Sequence, residues 1–299
     1  MFYEYALDPD ILTDVSRCRT FFESFDGNPS RLISDVPRNW LQDAFNAINQ
    51  LPHEQCLPRR KKFLKNELKK LVRHNLIKTR GTNSNIEQLP WCDFTAQEHK
   101  SFPFSGVFGV MEKTSPIDIY SFDDLLFEKP DSWNSLDQLH VERRAQSIVG
   151  AMTPLLLVSK TVRLIDPYFS FIRPNWENYE PVLKELAGRL DQYNFGRGIK
   201  TLSIHTSDRW GSMPQQLVDE TRAWLPEGVT IKVYHWLKDE MHDRFVLTDV
   251  GGLQFGHGLS EFSPGKPEQV LVTALDNSSF RRELDKVSGG ELSSYEAQG

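Results

Sequence analysis

The sequence predicts an α/β protein, with a mixed, mostly parallel sheet flanked by helices after a mainly helical N-terminal region. Two patterns support this fold class. From about residue 137 onward, strand-like apolar runs alternate with helix-like periodicity, as in units that build a layered α/β sheet. In the first hundred residues, apolar side chains recur mainly at helical spacing. With 299 residues, 39% hydrophobic and 25% charged, the chain has an ordinary globular composition and length for two domains.

Two helices and a later strand are predicted in the N-terminal region, which we place at residues 1–105. The first helix is indicated by apolar residues at helical spacing from Trp40 to Leu51. The second follows the same rule and groups Phe63, Leu64, Leu68, Leu71 and Val72 on one face. Residues 79–105 are polar and contain Gly, Asn and Pro, which favours a loop. Phe104–Met111 is predicted as a strand, and residues 106–136 form a linker of uncertain structure.

The C-terminal domain is predicted to span residues 137–286. A helix over residues 141–152 precedes a buried strand, Val162–Ile165, and further helices and strands follow. The pair Gly251–Gly252 favours a hairpin between strands Phe245–Thr248 and Leu253–Phe255. Residues 287–299, which are rich in Ser, Gly and Glu, are predicted to be a disordered tail.

Composition and motif searches exclude several classes of function. The sequence has no run of 18 apolar residues and no basic-then-apolar start, so neither a transmembrane helix nor a secretory signal is expected. Its three cysteines are widely spaced, which fits free thiols in the cytoplasm. No Walker A loop, G-x-S-x-G, H-E-x-x-H or G-x-G-x-x-G motif is present, and we expect no cofactor and no metal site.

Basic residues are concentrated in one window of an otherwise acidic chain. Residues 59–80 hold ten basic residues and one acid, although the whole chain carries a net charge of -6. Such a stripe predicts binding to a polyanion, either nucleic acid or an anionic membrane, and the alternative is a solvated helix face. The predicted polyanion-binding residues are Arg59, Arg60, Lys61, Lys62, Lys65, Lys69, Lys70 and Arg73.

The segment from His242 to Asp249 carries the main chemical signal. Its skeleton is H-x-R-x4-D, formed by His242, Arg244 and Asp249. Because alternate side chains of a strand share a face, His242 and Arg244 are predicted to project together. An imidazole can attack phosphorus, and a fixed cation can stabilise the negative charge that develops. The motif therefore points to phosphodiester chemistry.

This spacing resembles the phospholipase D superfamily, whose signature is H-x-K-x4-D followed by Gly-Ser and Asn. Gly256 stands at the family's offset, His257 stands where Ser is usual, and Glu261 follows after an apparent insertion of two residues. The HDR form and the G-x-G-L that follows look closer to one branch, the phospholipase D-like domain at the C-terminus of MIT-domain proteins. The run Asp166-Pro167-Tyr168-Phe169 has a counterpart in that branch. Arg244 departs from the family Lys, which puts turnover in doubt because an Arg fork is not equivalent to an ammonium group.

The resemblance implies roles for these residues. His242 would be the nucleophile, Arg244 the phosphate clamp and Asp249 an orienting carboxylate. Family members with a single motif pair two subunits to bring two histidines together, which implies a homodimer. His205 and His257 are alternative in-chain acids. The residues predicted to contact the substrate, or to support the side chains that do, are Asp166, His205, His257 and Glu261.

Two classes of function remain open at this point. The first is a cytoplasmic, metal-independent phosphodiesterase of the nuclease type, as a homodimer in a bacterial phage-defence setting. The second is a catalytically degenerate binding or assembly module. Such a module would contact nucleic acid or a larger protein complex, with a peripheral anionic membrane ranked behind these. A lipid hydrolase comes third, because no interfacial apolar helix is evident.

Overall fold

The computed structural model describes residues 2–25, 30–36, 39–73, 76–78, 89–110, 117–126, 133, 138–170, 176–192, 199–207, 215–237, 242–261, 269–289 and 293–298. The chain is a mixed α/β protein with two sheets, and it divides into two compact units between Ser135 and Leu136. Along the described residues, no helix combines the length and apolar character needed to cross a membrane.

The N-terminal unit is built on a five-stranded parallel sheet. Its strands are β1 (Tyr3–Leu7), β2 (Arg31–Ser34), β3 (Ile77–Lys78), β4 (Gly106–Gly109) and β5 (Tyr120–Ser121), in the spatial order β3-β2-β1-β4-β5. Every described pairing in this sheet is parallel. The helices are α1 (Val15–Phe25), α2 (Trp40–Gln50), α3 (Pro58–Arg73) and α4 (Trp91–Ser101).

An aromatic core holds this unit together. Tyr5 on β1 packs against Trp133, with ring centroids 4.9 Å apart, and against Phe108 on β4. The indole nitrogen of Trp40 donates a 2.6 Å hydrogen bond to the carbonyl of Leu7, which ties α2 to the end of β1. Burial of these large rings supplies much of the driving force for folding the unit.

The structure confirms part of the expected N-terminal organisation and corrects the rest. Helices make up most of the described residues before residue 106, and the predicted strand Phe104–Met111 is present as β4. The parallel sheet was not predicted, and residues 106–109 and 120–121 are strands of it instead of a linker. Helix α4 also lies within the predicted loop of residues 79–105. Parallel strands that are buried on both faces show continuous apolar runs without alternation, and these strands have only two to five residues. In a single sequence, such short apolar runs cannot be distinguished from segments of a buried helix.

The C-terminal unit contains an eight-stranded mixed sheet. Its strands are β6 (Gln138–Glu142), β7 (Thr161–Ile165), β8 (Thr201–Ser207), β9 (Thr230–Trp236), β10 (Phe245–Thr248), β11 (Gly252–Phe255), β12 (Gln269–Ala274) and β13 (Ser293–Gln298). The spatial order is β13-β9-β8-β7-β10-β11-β12-β6. The accompanying helices are α5 (Ala145–Leu156), α6 (Trp176–Gln192), α7 (Gln215–Arg222) and α8 (Asn277–Gly289).

Strand direction in this sheet differs from the prediction of a mostly parallel sheet. Only the β7–β8 and β8–β9 pairs are parallel among the described pairings, and the other five are antiparallel. The predicted Gly251–Gly252 hairpin is present as the β10–β11 pair. The predicted disordered tail is also corrected, because Val287 is buried within α8 and β13 pairs with β9.

The strand order brings several chain segments to one edge of the C-terminal sheet. The carboxyl ends of β7 and β8 lie there, because these strands are parallel. Antiparallel β10 begins at the same edge, and β11 ends there. Residues from four strands therefore meet along this edge, which we call the site edge.

Candidate active site

Arg244 occupies a fixed position on the site edge, between the ends of β7 and β11. Its backbone carbonyl accepts a 2.9 Å hydrogen bond from the amide of Phe255. The guanidinium carbon lies 4.7 Å from the centre of the Tyr168 ring, within range of a cation–π contact. Its Nε is 3.9 Å from a carboxylate oxygen of Asp166, and its Nη1 donates to the carbonyl of Gly256 at 3.4 Å. The side chain is still 23% exposed, so the cation is held and remains accessible.

Asp166 is the buried acceptor beneath this cation. It is 1% exposed and accepts hydrogen bonds from the amides of Tyr168 and Leu259, and from the hydroxyl of Tyr179 at 3.1 Å. Burial raises the pKa of the Asp166 carboxyl, and these hydrogen bonds and the charge of Arg244 act in the opposite direction. Asp166 is therefore a buried counterion that holds Arg244 in place and does not itself face solvent.

The turn after β11 approaches this pair so closely that it requires glycine. Gly258 has φ of +97°, a conformation that L side chains rarely adopt. A Cβ at this position would lie 2.9 Å from Asp166 Oδ2 and 3.6 Å from Arg244 Nε. The glycine-containing turn seen in the sequence is thus part of the wall around Arg244.

His242 lies at the site edge but outside a strand. It is exposed, and with Asp243 it borders a small cavity of about 20 Å³ that also touches Phe245 and residues Glu283 and Lys286 of α8. The predicted shared strand face for His242 and Arg244 is wrong, because β10 begins only at Phe245. The contacts of Arg244 run to the ends of β7 and β11, whereas the cavity bordered by His242 opens towards α8.

Asp249 lies at the opposite end of β10 from Arg244. Its Oδ1 accepts hydrogen bonds from the amides of Lys160 at 2.8 Å and Thr161 at 3.2 Å, at the start of β7. The five residues of extended chain from Arg244 to Asp249 correspond to about 17 Å, so the Asp249 carboxylate is remote from the site edge where His242 lies. The expectation that Asp249 orients the imidazole of His242 is corrected. The contacts of the Asp249 carboxylate instead anchor the start of β7.

His205 is a buried side chain at the end of β8. Its Nδ1 accepts a hydrogen bond from the indole of Trp236 at 3.2 Å, and its Nε2 lies 3.2 Å from the hydroxyl of Ser203. Burial, with a smaller contribution from the charge of Arg163, lowers the pKa of His205 to about 3. A neutral, 1% exposed imidazole cannot deliver a proton to a substrate, so the in-chain acid expectation fails for His205.

His257 and Glu261 follow β11 but have different surroundings. His257 is exposed in the turn directly after Gly256. Glu261 accepts a 2.6 Å hydrogen bond from the amide of Ala145, the first residue of α5. A carboxylate at a helix N-terminus is favourable for the helix, so Glu261 has a structural contact that the sequence did not predict. It also borders an open depression of about 390 Å³ with Arg144 and Lys184.

Sequence reasoning missed two residues of this cluster. The sequence places Tyr168 only within the run Asp166–Phe169 and predicts no role for it, although its ring packs against the Arg244 guanidinium. Tyr179 on α6 had no local signal, because its hydrogen bond to Asp166 depends on how α6 packs. Within the described part of the chain, no group of three or more His, Cys, Asp or Glu side chains is arranged to hold a metal ion.

Residues 59–73 of the basic window lie in helix α3, as their periodicity predicts. Leu64, Leu68 and Leu71 are buried, but Phe63 and Val72 are 59% and 45% exposed, so the predicted single apolar face is corrected. Arg59, Arg60, Lys62, Lys69, Lys70 and Arg73 are exposed, and Lys61 and Lys65 are half-buried. Polyanion binding by these residues stays a prediction.

Comparison with solved structures identifies distant likenesses. Nuc, a phospholipase D family member from Salmonella typhimurium, is 13% identical, with 54% of this chain and 98% of that chain covered at a TM-score of 0.33. TrmBL2, an archaeal chromatin protein described with a novel mode of DNA binding, is 12% identical, with 55% of this chain and 54% of that chain covered at a TM-score of 0.28. No protein-family model and no curated protein matches the chain. These values are too low to assign the chain to either family.

Proposed function

We propose that the C-terminal unit is a phospholipase D-like phosphodiesterase that cleaves nucleic acid through a phosphohistidine intermediate. The observation that carries this proposal is the geometry of Arg244, a cation fixed by Asp166 and Tyr168 and still accessible. Two exposed imidazoles, those of His242 and His257, belong to segments that meet at the same edge. This combination supports nucleophilic attack on a bound phosphodiester.

In the proposed reaction, a ring nitrogen of His242 attacks phosphorus and one ester P–O bond breaks. The leaving oxygen takes a proton from a general acid, and Arg244 binds the non-bridging oxygens as their negative charge increases. Water then attacks phosphorus and gives its proton to the general acid that was deprotonated in the first step, while the P–N bond to His242 breaks, so the imidazole is restored and the phosphorylated end is released. Each step transfers one proton and needs no oxidant or reductant.

The general acid in this scheme is a second histidine, which comes either from the same chain or from a second copy of the protein. In the β10–β11 pairing, Phe245 faces Gln254, and the hydrogen bond between Arg244 and Phe255 extends the same register. The first source is His257 of the same chain, which is exposed in the turn directly after β11, close in sequence to the Phe255 amide that binds the Arg244 carbonyl. The other source is His242 of a second copy, in the homodimer that the resemblance implies.

Nucleic acid is the proposed substrate because of what surrounds Arg244. Tyr168 is 42% exposed, so a nucleobase can approach the ring beside the cation. We further propose that the protein acts in bacterial phage defence, in the cytoplasm. The test compares phage plating on cells that carry the wild-type protein with plating on cells that carry His242→Ala.

The competing proposal is a binding module without catalysis. It is favoured by the contact between Arg244 and Asp166, since a cation with a buried counterion has less charge to offer a transition state. Such a module would hold a phosphate group or a protein partner at the site edge without breaking a bond.

Cleavage assays on the full chain separate the two proposals. End-labelled single- and double-stranded DNA, RNA and phospholipid vesicles are incubated with purified protein in EDTA. We expect cleavage of nucleic acid, a loss of about a thousandfold in His242→Ala, and full activity in His140→Ala, an exposed histidine on β6. Cleavage that survives His242→Ala contradicts the mechanism, and no cleavage of any substrate by any variant supports the binding module.

The source of the general acid is tested separately. Sedimentation velocity gives the oligomeric state at the assay concentration. If His257 is the acid, His257→Ala loses activity in a monomer, and a leaving group of low pKa, such as p-nitrophenolate, restores it. If a partner's His242 is the acid, activity falls when a dimer dissociates on dilution.

A further inference from the structure

Helix α3 presents a row of cations along the side that faces solvent. Its exposed residues at positions 59, 62, 66, 69 and 73 recur every three or four residues, so they share one face of the helix. They are Arg59, Lys62, Asn66, Lys69 and Arg73, and we call them the cationic stripe. From its first to its last residue the stripe is about 21 Å long, at a rise of about 1.5 Å per residue.

The stripe is separate from the sides of α3 that contact the rest of the N-terminal unit. The buried leucines of α3 lie on the opposite side of the helix. The flank towards α1 has mixed charge, because Arg60 and Glu67 line a cavity there with Asp14 and Glu23. The excess positive charge of α3 is therefore concentrated on its solvent-facing side.

Neighbouring acids do not neutralise this charge. The one acid of α3, Glu67, is 7% exposed and lies 2.7 Å from the Nζ of Lys70, outside the stripe. Among the residues that the structure describes, no acidic side chain forms an ion pair with any of the four cations of the stripe. A polyanion that lies along α3 meets these cations without displacing an internal partner.

The exposed apolar residues of α3 do not form a face that could enter a bilayer. Phe63 and Val72 are both exposed, and they are nine residues apart. At about 100° per residue, this spacing puts them on opposite sides of the helix, with the stripe between them. An interfacial helix turns one continuous apolar face towards the membrane, and on α3 that face is already buried in the unit.

The composition of the stripe also distinguishes between the remaining kinds of partner. It contains no aromatic or apolar side chain, whereas the centre of a protein–protein interface is enriched in them. Sites for single-stranded nucleic acid use aromatic rings on which the bases stack. The outside of a duplex presents a regular row of phosphates and needs no apolar contact, so it matches a straight row of cations best.

We propose that the cationic stripe of α3 binds the phosphate backbone of duplex nucleic acid without recognising its sequence. Cations that neutralise phosphates release counterions, so the affinity falls as the salt concentration rises. Four phosphate contacts correspond to a slope of about -3.6 when the logarithm of the binding constant is plotted against that of the salt concentration. This binding is independent of cleavage, since the stripe lies in the N-terminal unit and the proposed active site in the C-terminal unit.

The test measures binding of a labelled DNA duplex of about 20 base pairs by fluorescence anisotropy over a range of salt concentrations. The full-length chain carries His242→Ala, so that cleavage does not remove the probe. Adding Lys62→Gln and Lys69→Gln together should make the slope less steep by about 2 and weaken binding at about 0.1 M salt by about tenfold or more. Duplex RNA should show the same change in slope, because phosphates carry the binding.

Lys100→Gln is the matched control for Lys69→Gln, because each removes one exposed cation from a helix of the same unit. Helix α4, which carries Lys100, packs on the face of the sheet formed by Ala6 and Val107, whereas α1 beside α3 packs against Tyr5 on the other face. Lys69→Gln should change the slope by about 1, and Lys100→Gln by less than about 0.3.

Two further probes separate the duplex from other occupants. The affinity lost in the variant with Lys62→Gln and Lys69→Gln should be larger for the duplex than for oligo-dT of the same length. Phe63→Ala should change duplex binding by less than about twofold. Binding of phosphatidylserine vesicles that depends on Lys69 and Phe63, with duplex binding unchanged in the charge variants, assigns α3 to a membrane and overturns the proposal.

Other results also overturn it. These are no duplex binding at about 100 μM protein and 50 mM salt, an unchanged slope in the variant with two substitutions, equal effects of Lys69→Gln and Lys100→Gln, or a change confined to one of the two duplexes. Circular dichroism of the variants should match the wild type, because Lys62 and Lys69 are exposed. A wild-type protein that cleaves nothing contradicts the phosphodiesterase proposal and leaves this one standing.

Discussion

Asp166 Oδ1 lies 3.9 Å from the Nε of Arg244, and the carboxylate is 1% exposed whereas the guanidinium side chain is 23% exposed. The two residues have different roles for this reason. Asp166 is enclosed by donors from the segment after β7, from α6 and from the turn after β11, so it holds those three segments together. Arg244 is the part of the pair that a ligand can reach.

Replacing Asp166 should therefore affect stability before it affects chemistry. Asp166→Asn leaves Arg244 without its counterion and places an amide nitrogen near groups that donate hydrogen bonds. We expect the free energy of unfolding to fall by about 2–4 kcal/mol, as measured by urea denaturation. Asp285→Asn, an exposed position on α8, is the control and should change it by less than about 0.5 kcal/mol. Equal effects in the two variants would contradict the role given to Asp166.

His205 should make the C-terminal unit sensitive to acid. Its pKa in the folded protein is lowered to about 3, so below the ordinary value near 6.5 the unfolded state binds a proton that the folded state does not. The stabilising contribution is complete above pH 6.5 and is lost as pH falls towards 3. Between pH 7 and 4.5 we expect this residue alone to lower the unfolding free energy by about 2–3 kcal/mol.

His205→Gln isolates this effect. Glutamine keeps an acceptor for the indole of Trp236 but has no titrating group. The difference in unfolding free energy between pH 7 and 4.5, measured by denaturant titration, should be smaller in the variant than in the wild type. The same difference in both proteins means that other groups cause the acid sensitivity.

Asp249 should matter for stability and not for catalysis. Asp249→Ala removes the acceptor for the amides of Lys160 and Thr161, and we expect a loss of about 1–2 kcal/mol in unfolding free energy. Asp249→Asn retains an acceptor and should lose less. With either variant fully folded, the rate of phosphodiester cleavage should stay within about twofold of the wild type. A large drop in kcat for folded Asp249→Asn would restore a catalytic role.

Tyr168 should position the Arg244 guanidinium through its ring face. Tyr168→Phe keeps that face and should bind a phosphodiester analogue like the wild type. Tyr168→Ala should weaken binding by about two- to fivefold, equivalent to 0.5–1 kcal/mol for an exposed cation–π contact. Isothermal titration of both variants checks this, and equal affinities in Tyr168→Ala and the wild type would exclude the positioning role.

Arg244→Lys measures how much the departure from the family pattern matters. Lysine restores the cation of the H-x-K-x4-D signature but loses the planar contact with Tyr168. Under the phosphodiesterase proposal, activity is retained or rises in Arg244→Lys and is lost in Arg244→Ala. Loss of cleavage in both variants, with phosphate binding retained in Arg244→Lys, would show that this site requires the guanidinium itself.

Much of the local structure followed from the sequence. Helices α2 and α3 have apolar residues at helical spacing, and that spacing predicted both. The Gly251–Gly252 pair predicted the β10–β11 hairpin, and in the structure Gly252 is needed for close packing, since a Cβ there would lie 2.6 Å from Leu247 Cδ2. The position of Asp166 at the end of a buried strand was also predicted. These features depend on residues close together in the chain.

What the tertiary structure decided depends on contacts between distant residues. The sheet of the N-terminal unit, the direction of most strands in the C-terminal sheet, and the contact between Tyr179 and Asp166 all join segments far apart in sequence. Asp249 shows the difference most clearly. Its spacing from His242 suggested a shared site, but the extended β10 strand between them carries its carboxylate to the opposite end of β7, where the nearest partners are backbone amides.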